Sequence, residues 1–253
     1  MVTMKKISVC LAFLLVHFLA FSQSVEELFS RADQFEKQLK EEEAYSTYKD
    51  ILKVEPVNIK ALTMCSELAS RIGKRQPDKA KSLDFYNAAK IYAQRALHAD
   101  STNADANCAM AIAMGRMALI SSGKEKVANV KEIKRYADIA LHYDSRSFKA
   151  WHILGKWNYE VSNLNMVEKA AIRLLYGGMP AASIDEAIKC YEKAKSIEPS
   201  FVLNLFELAK AYKKNGQDDK AIENINKLLR LPNRTAEDPA YKAEAKKMLA
   251  DLQ

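Results

Sequence analysis

Two stretches carry side chains whose type and spacing suit the capture of an anion. In "KAWHILGKWNYE", residues 149–160, Lys149, His152, Lys156 and Tyr159 recur every three or four residues. In "LNLFELAKAYKK", residues 203–214, Phe206, Lys210 and Lys213 do the same. Residues three and four apart share one face of a helix, so each stretch sets ammonium groups beside an aromatic ring. Ammonium groups make charge-assisted hydrogen bonds to carboxylate or phosphate. The expected chemistry is binding of a carboxylate, a phosphate or an acidic peptide. The plain alternative is that these lysines form an ordinary solvated helix face.

Nothing in the chain reads as bond-making chemistry. There is no glycine-rich nucleotide loop, no HExxH and no CxxC. His98 and His142 fall near the ends of helical patterns, where a cationic imidazole suits the helix dipole. Cys65, Cys108 and Cys190 each sit inside a helical pattern, where cysteine behaves as a small hydrophobe, and their spacing suggests neither a disulfide framework nor a zinc site. A non-enzymatic protein without cofactor or metal is expected. The formal charge of +7 suits acidic partners but is too small to argue for nucleic acid.

The N-terminus has its own purpose. Lys5 and Lys6 precede an apolar run from Ile7 to Phe21, and Ala20-Phe21-Ser22 offers a small-x-small cleavage site before Gln23. Residues 1–22 are therefore expected to be a signal peptide of bacterial look, and residues 23–253 an exported, periplasmic domain. A run of 15 residues is short for a membrane span. No stable span is expected after cleavage, and a signal anchor is the alternative.

The elements that must position the lysines are helices. Only 7 Gly and 6 Pro stand against 49% hydrophobic residues, which suits an all-α protein. The helices repeat in register. A tetratricopeptide repeat (TPR) is a pair of antiparallel helices, A and B, of about 34 residues, with small residues where they touch. The fourth and eighth positions of helix A are Leu28/Ala32, Leu62/Ser66, Asn107/Ala111, Trp151/Gly155 and Leu205/Ala209, of which Asn107 fits least. The B helices close with Ala44, Tyr48, Ile51 and Pro56, then with Ala93, Ala96 and Asp100, and then with Ala137, Ala140 and Asp144. Ala187, Tyr191, Ala194 and Pro199 close the fourth, and Ala221, Ile225, Leu228 and Pro232 the fifth. Helix A lines the concave face of such a superhelix, which puts Lys149, His152, Lys156, Tyr159, Phe206, Lys210 and Lys213 in a basic groove. An acidic peptide or protein partner is expected there.

The anchors of successive A helices are 34, 45, 44 and 54 residues apart. The excess defines inserts between helices A and B near 73–83, 121–130 and 162–181. A last helix over 239–252, entered through Asp238 and Pro239, would cover the final apolar face. The 162–181 insert carries Met166, Ala170 and Leu174 at helical spacing, with Arg173 to one side, Tyr176 near the end and Gly177 as a stop. It is expected to be an extra helix packing its apolar face on the solenoid. The functional alternative makes Met166, Arg173, Leu174 and Tyr176 a lid over the groove of a lipid or small-anion carrier, or a surface for an acidic membrane.

From about Tyr92 onward the chain resembles the regulator of microtubule dynamics family. The resemblance is densest in "KEKVANVKEIKRYADIAL", "WHILGKWNYEVSNLNMVEKAAIRLL", "ASIDEAIKCYEKAKSIEPSF" and "LLRLPNRTAEDPAYKAEAKKML", and the order of inserts is similar too. It implies a TPR fold and a binding-scaffold role without catalytic motifs. For family members it implies association with microtubules and spindle poles, with some of them membrane-anchored.

Overall fold

Each of the first three helix pairs hands over to the next through one recurring turn. At "VEPVN", "ADSTN" and "YDSRS", the N–H groups of Glu55, Asp100 and Asp144 cap the outgoing helix on the carbonyls of Ile51, Ala96 and Ala140. Three residues later Asn58, Asn103 and Ser147 accept the N–H of Ala61, Ala106 and Ala150 to start the next helix. The fourth position of the new helix then ties back. The Trp151 indole donates to the Ser145 carbonyl at 3.0 Å, and the Asn107 amide donates to the Ser101 carbonyl, also at 3.0 Å. Asn107 thus makes the tie that Trp151 makes, which accounts for its place at a normally bulky position.

The structure, a computed structural model, describes residues 25–253, so the expected signal peptide over 1–22 lies outside the described residues. Twelve helices and no strand occur among these residues. They are α1 (25–37), α2 (Glu41–Val54), α3 (Ile59–Lys74), α4 (Lys79–Ala99), α5 (Ala104–Ile120) and α6 (Gly123–Tyr143). They continue as α7 (Phe148–Ser162), α8 (Met166–Tyr176), α9 (Ile184–Ile197), α10 (Val202–Lys214), α11 (Asp218–Arg230) and α12 (Asp238–Ala250). The A–B pairs are α1/α2, α3/α4, α5/α6, α7/α9 and α10/α11. The all-α solenoid of five pairs with inserts and a closing helix is therefore what the chain forms.

Small residues set the approach within a pair. A β-carbon added to Gly155 would lie 2.6 Å from the Tyr191 ring, and one added to Gly73 would lie 2.8 Å from the Phe85 side chain. Ala32, Ser66, Ala111 and Ala209 at the equivalent eighth positions are buried, and the Ser66 hydroxyl donates to the Ala89 carbonyl of the facing helix at 2.8 Å. At the far end, Tyr241, Met248, Leu249 and Leu252 of the closing segment cover Leu205, Ile225 and Leu228. All three cysteines are buried and free, and burial pushes the Cys65, Cys108 and Cys190 thiols up to about 12.

The inserts have two fates. Those near 73–83 and 121–130 lengthen helices, so that α4 and α6 each reach 21 residues where α2 has 14. The third is α8. A capping box of Asn165 and Glu168 opens it, and Gly177, with φ 74°, closes it. Contrary to the packing expectation, its apolar face turns outward. Met166 is 87% exposed, Val167 78%, Leu174 85% and Leu175 64%. Ile172 and Tyr176, on the opposite face, are the half-buried residues. The Lys131 ammonium of α6 holds the helix by donating to the Tyr176 carbonyl at 2.9 Å.

Gly155→Ala is expected to cost about 1–3 kcal/mol, because the added methyl overpacks the pair at Tyr191. Tyr191→Phe removes a buried hydroxyl that has no hydrogen-bond partner among the described residues and should leave stability unchanged or raise it. Urea denaturation of both variants checks the pair. A Tyr191→Phe loss larger than the Gly155→Ala loss would contradict it.

Candidate functional site

The inner face of the solenoid is built by α3, α5, α7, α10 and α12, and its cations come with acids. Lys149 on α7 reaches Glu67 of α3 at 2.6 Å and Asp105 of α5 at 3.4 Å. Lys156 reaches Glu207 at 3.0 Å and Glu160 at 2.7 Å, while Lys210 reaches the other oxygen of Glu207 at 3.0 Å. Lys213 lies 3.5 Å from Asp251. Tyr159 is half-buried, with Lys156 and Lys210 at 5.9 and 5.4 Å from its ring centre. Lys149, Lys156, Tyr159, Lys210 and Lys213 thus lie along one inner seam.

His152 and Phe206 lie beneath that seam. His152 is buried, with Nδ1 at 3.0 Å from the Asn204 Oδ1 atom and its ring against Tyr191 and Phe201. Asn204 in turn donates to the Tyr191 carbonyl at 2.9 Å. The imidazole therefore joins α7, α9 and α10. Phe206 is buried and stacks on Tyr241 of the closing helix. The insert residues are set apart from the lysines: α8 packs on α6 and not on α10, where Lys210 and Lys213 lie. Met166 and Leu174 face solvent, Arg173 is exposed, and Tyr176 sits near Gly123.

Electrostatics follow from this geometry. Burial pushes the Glu207 carboxyl up, but Lys156 and Lys210 together hold it below the usual carboxylate range. Burial pulls the Lys149 and Lys156 ammonium groups down, and their acids more than reverse this. Burial lowers His152 below its ordinary value, so the buried imidazole is kept neutral. Among the described residues, no group of three or more His, Cys, Asp or Glu is placed to hold a metal ion.

The superhelix is tight enough for its ends to meet. The Lys74 ammonium of α3 donates to the Tyr241 hydroxyl at 2.7 Å and lies 3.3 Å from Glu237. Buried Glu41 pairs with Arg75 at 2.5 Å and with Arg71 at 3.5 Å, and it accepts the Ala236 N–H at 3.3 Å. The acids of these pairs were missed in the sequence because their partners lie in distant repeats. Within the seam, Glu207, three residues before Lys210, and Glu160, four residues after Lys156, had a local signal. A second feature is a convex cleft of about 510 Å³, floored by Met110 and Met114 and edged by Lys90, His98, Glu132 and Tyr136. It forms because α4 and α6 both pack on α5 and not on each other. No sequence motif announces it.

This arrangement defines a tetratricopeptide-repeat solenoid with an ion-paired inner face. The fold is shared with a thermophilic TPR protein of Thermus thermophilus, at a TM-score of 0.63 and 14% identity over 88% of this chain and 99% of that one. The chain belongs to the regulator of microtubule dynamics family, whose profile, "Regulator of microtubule dynamics protein 1-3", matches residues 28–253. A Caenorhabditis elegans protein named Regulator of microtubule dynamics protein 1 is 29% identical over 126 residues, 50% of this chain. The match spans 56% of the worm protein, little more than half its length. The Bos taurus protein of the same name is 25% identical over 237 residues, 93% of this chain and 74% of its own.

Glu207→Gln is expected to destabilise the fold by about 1–3 kcal/mol, since it leaves two lysines over a neutral amide. The Glu207 carboxyl is depressed in the folded state. Its contribution is therefore fully present above the unfolded value near 4.5 and is lost as pH falls through the lower folded value. Urea midpoints for wild type and variant should differ at pH 7 and converge in acid. A gap independent of pH would refute the assignment.

Proposed function

We propose that this protein is a non-catalytic scaffold that binds an acidic peptide or protein segment along the inner seam, at Lys149, Lys156, Tyr159, Lys210 and Lys213. The observation that carries this reading is the arrangement at Glu207. One carboxylate, 7% exposed, serves two lysines beside a half-buried tyrosine ring, so that only the exposed Glu160 completes the charge balance of the two. The remaining acids are loose. Asp105, Glu160 and Asp251 are 63%, 57% and 69% exposed, and exposed ion pairs contribute at most about 1 kcal/mol each. A ligand carboxylate can take their place at little cost, while Glu67 and Glu207 stay to hold the lysines in position. His152 and Phe206 support the seam from below. The names of the relatives suggest a protein partner of cytoskeletal type, and the seam accepts an acidic segment of any protein.

Calorimetric titration with poly-glutamate and poly-glutamine peptides of equal length tests this. Binding of the acidic peptide alone is expected. It should weaken as salt rises and fall about ten-fold or more in the Lys156→Glu/Lys210→Glu variant. Equal binding of both peptides, or binding that the variant keeps, would sink the proposal.

A further inference from the structure

α8 has the amphipathicity of a surface helix turned inside out. None of its residues is buried. Its outward face presents Met166, Val167, Leu174 and Leu175, and four large apolar side chains on three turns of helix are costly to leave in water. Leu119 is 68% exposed and Ile120 41%, at the end of α5. They precede the α5–α6 turn, where Gly123 lies near the hydroxyl of Tyr176, the last residue of α8.

Charge says what covers it. Lys169 and Arg173 flank the apolar face on α8 itself, and Lys124 and Lys126 stand exposed on the first turns of α6. Lys131 lies at the junction of the two helices. Against these five cations the edge carries Glu125 and Glu168, and the Glu168 carboxylate is engaged by the Asn165 N–H at 2.8 Å. A like-charged second copy would be repelled there. An apolar face rimmed by Lys and Arg is the pattern of a helix lying in the interface of an anionic bilayer, with its side chains among the acyl chains and its cations at the headgroups. α8 is also preformed. It is capped at both ends, so docking needs no folding step.

We propose that α8 and the neighbouring α5–α6 turn dock this protein on the surface of an anionic lipid bilayer. Insertion is interfacial, since no helix among the described residues is long and apolar enough to cross a membrane. The surface is separate from the inner seam.

The test is co-flotation of the full chain, as purified from its own host, with phosphatidylcholine vesicles made with or without phosphatidylglycerol. Wild type should float with the phosphatidylglycerol vesicles. Leu174→Asp/Leu175→Asp should lower that binding about ten-fold or more, and Lys169→Glu/Arg173→Glu should abolish the preference for the anionic lipid. Both variants keep the wild-type N-terminus, so any contribution from residues 1–22 cancels in the comparison. Both should also keep the wild-type melting curve, because Lys169, Arg173, Leu174 and Leu175 are all exposed. Equal flotation of wild type and Leu174→Asp/Leu175→Asp would overturn the proposal. So would an absence of flotation on either vesicle. In that case, sedimentation as a dimer that the variant splits would assign the face to a second copy, and a monomer would assign it to a protein partner.

Discussion

The solenoid depends on how closely the two helices of a pair approach, and Gly155 against Tyr191 is the tightest such approach at a glycine among the described residues. The Tyr191 ring occupies the space a side chain on Gly155 would need. It is fully buried, and its hydroxyl has no hydrogen-bond partner among the described residues. An unpaired buried hydroxyl costs about 1–3 kcal/mol, so the packing of the ring outweighs that penalty. The same residue carries the fold forward. Its carbonyl receives the Asn204 amide, and Asn204 also meets His152. One close contact therefore fixes α7 on α9, and one amide then fixes α10 on both. Gly73 against Phe85 performs the first of these tasks in the second helix pair, with Ser66 supplying the cross-helix hydrogen bond.

Curvature follows from those contacts, and curvature determines the electrostatics. In a gently curved solenoid, side chains two repeats apart would not meet. Here Lys149 reaches Glu67 across 82 residues, and Lys74 reaches Tyr241 across 167. The inner face is narrow, and its charges must be compensated where they stand. Each acid that does this from a buried position keeps a lysine in place. Each acid that does it from an exposed position contributes at most about 1 kcal/mol. The seam is thus a row of lysines tied to acids of two kinds, buried and exposed.

The repeat was legible in the sequence because it is local. Small residues at the eighth position of helix A, closing prolines or acids after helix B, and the spacing between anchors all lie within one helix pair. Asn107 looked like a defect because the pattern asks for bulk, while the structure asks for a donor to the preceding turn, as the Trp151 indole shows. The lysines were legible as one row, and Glu67, Asp105 and Asp251 were not, because they come from helices that only the superhelix brings near. His152 shares helical spacing with Lys149 and Lys156, yet spacing of three on a helix wedged between two neighbours leads under the surface. The outward face of α8 was hidden for a simpler reason. Its periodicity fixes which residues share a face, and periodicity is silent on which way that face points.

The three inserts show where such a fold can change. Residues near 73–83 and 121–130 continue the helical period, so they only lengthen α4 and α6, whose apolar contacts with α5 already exist. The insert at 162–181 has Gly177, Gly178 and Pro180 at its end, and both glycines adopt left-handed backbone, with φ 74° and 81°. That turn stops the chain from running on into α9 and makes α8 a separate body. A helix released at the edge escapes the constraints that Gly155, Tyr191 and the inner ion pairs impose on the repeats. Its composition is free of the repeat, as that of loops on a rigid scaffold is. The inner face must stay balanced to preserve the superhelix, so a new surface property is added most cheaply at this edge, and a large exposed apolar face on a helix with no buried residue stands there.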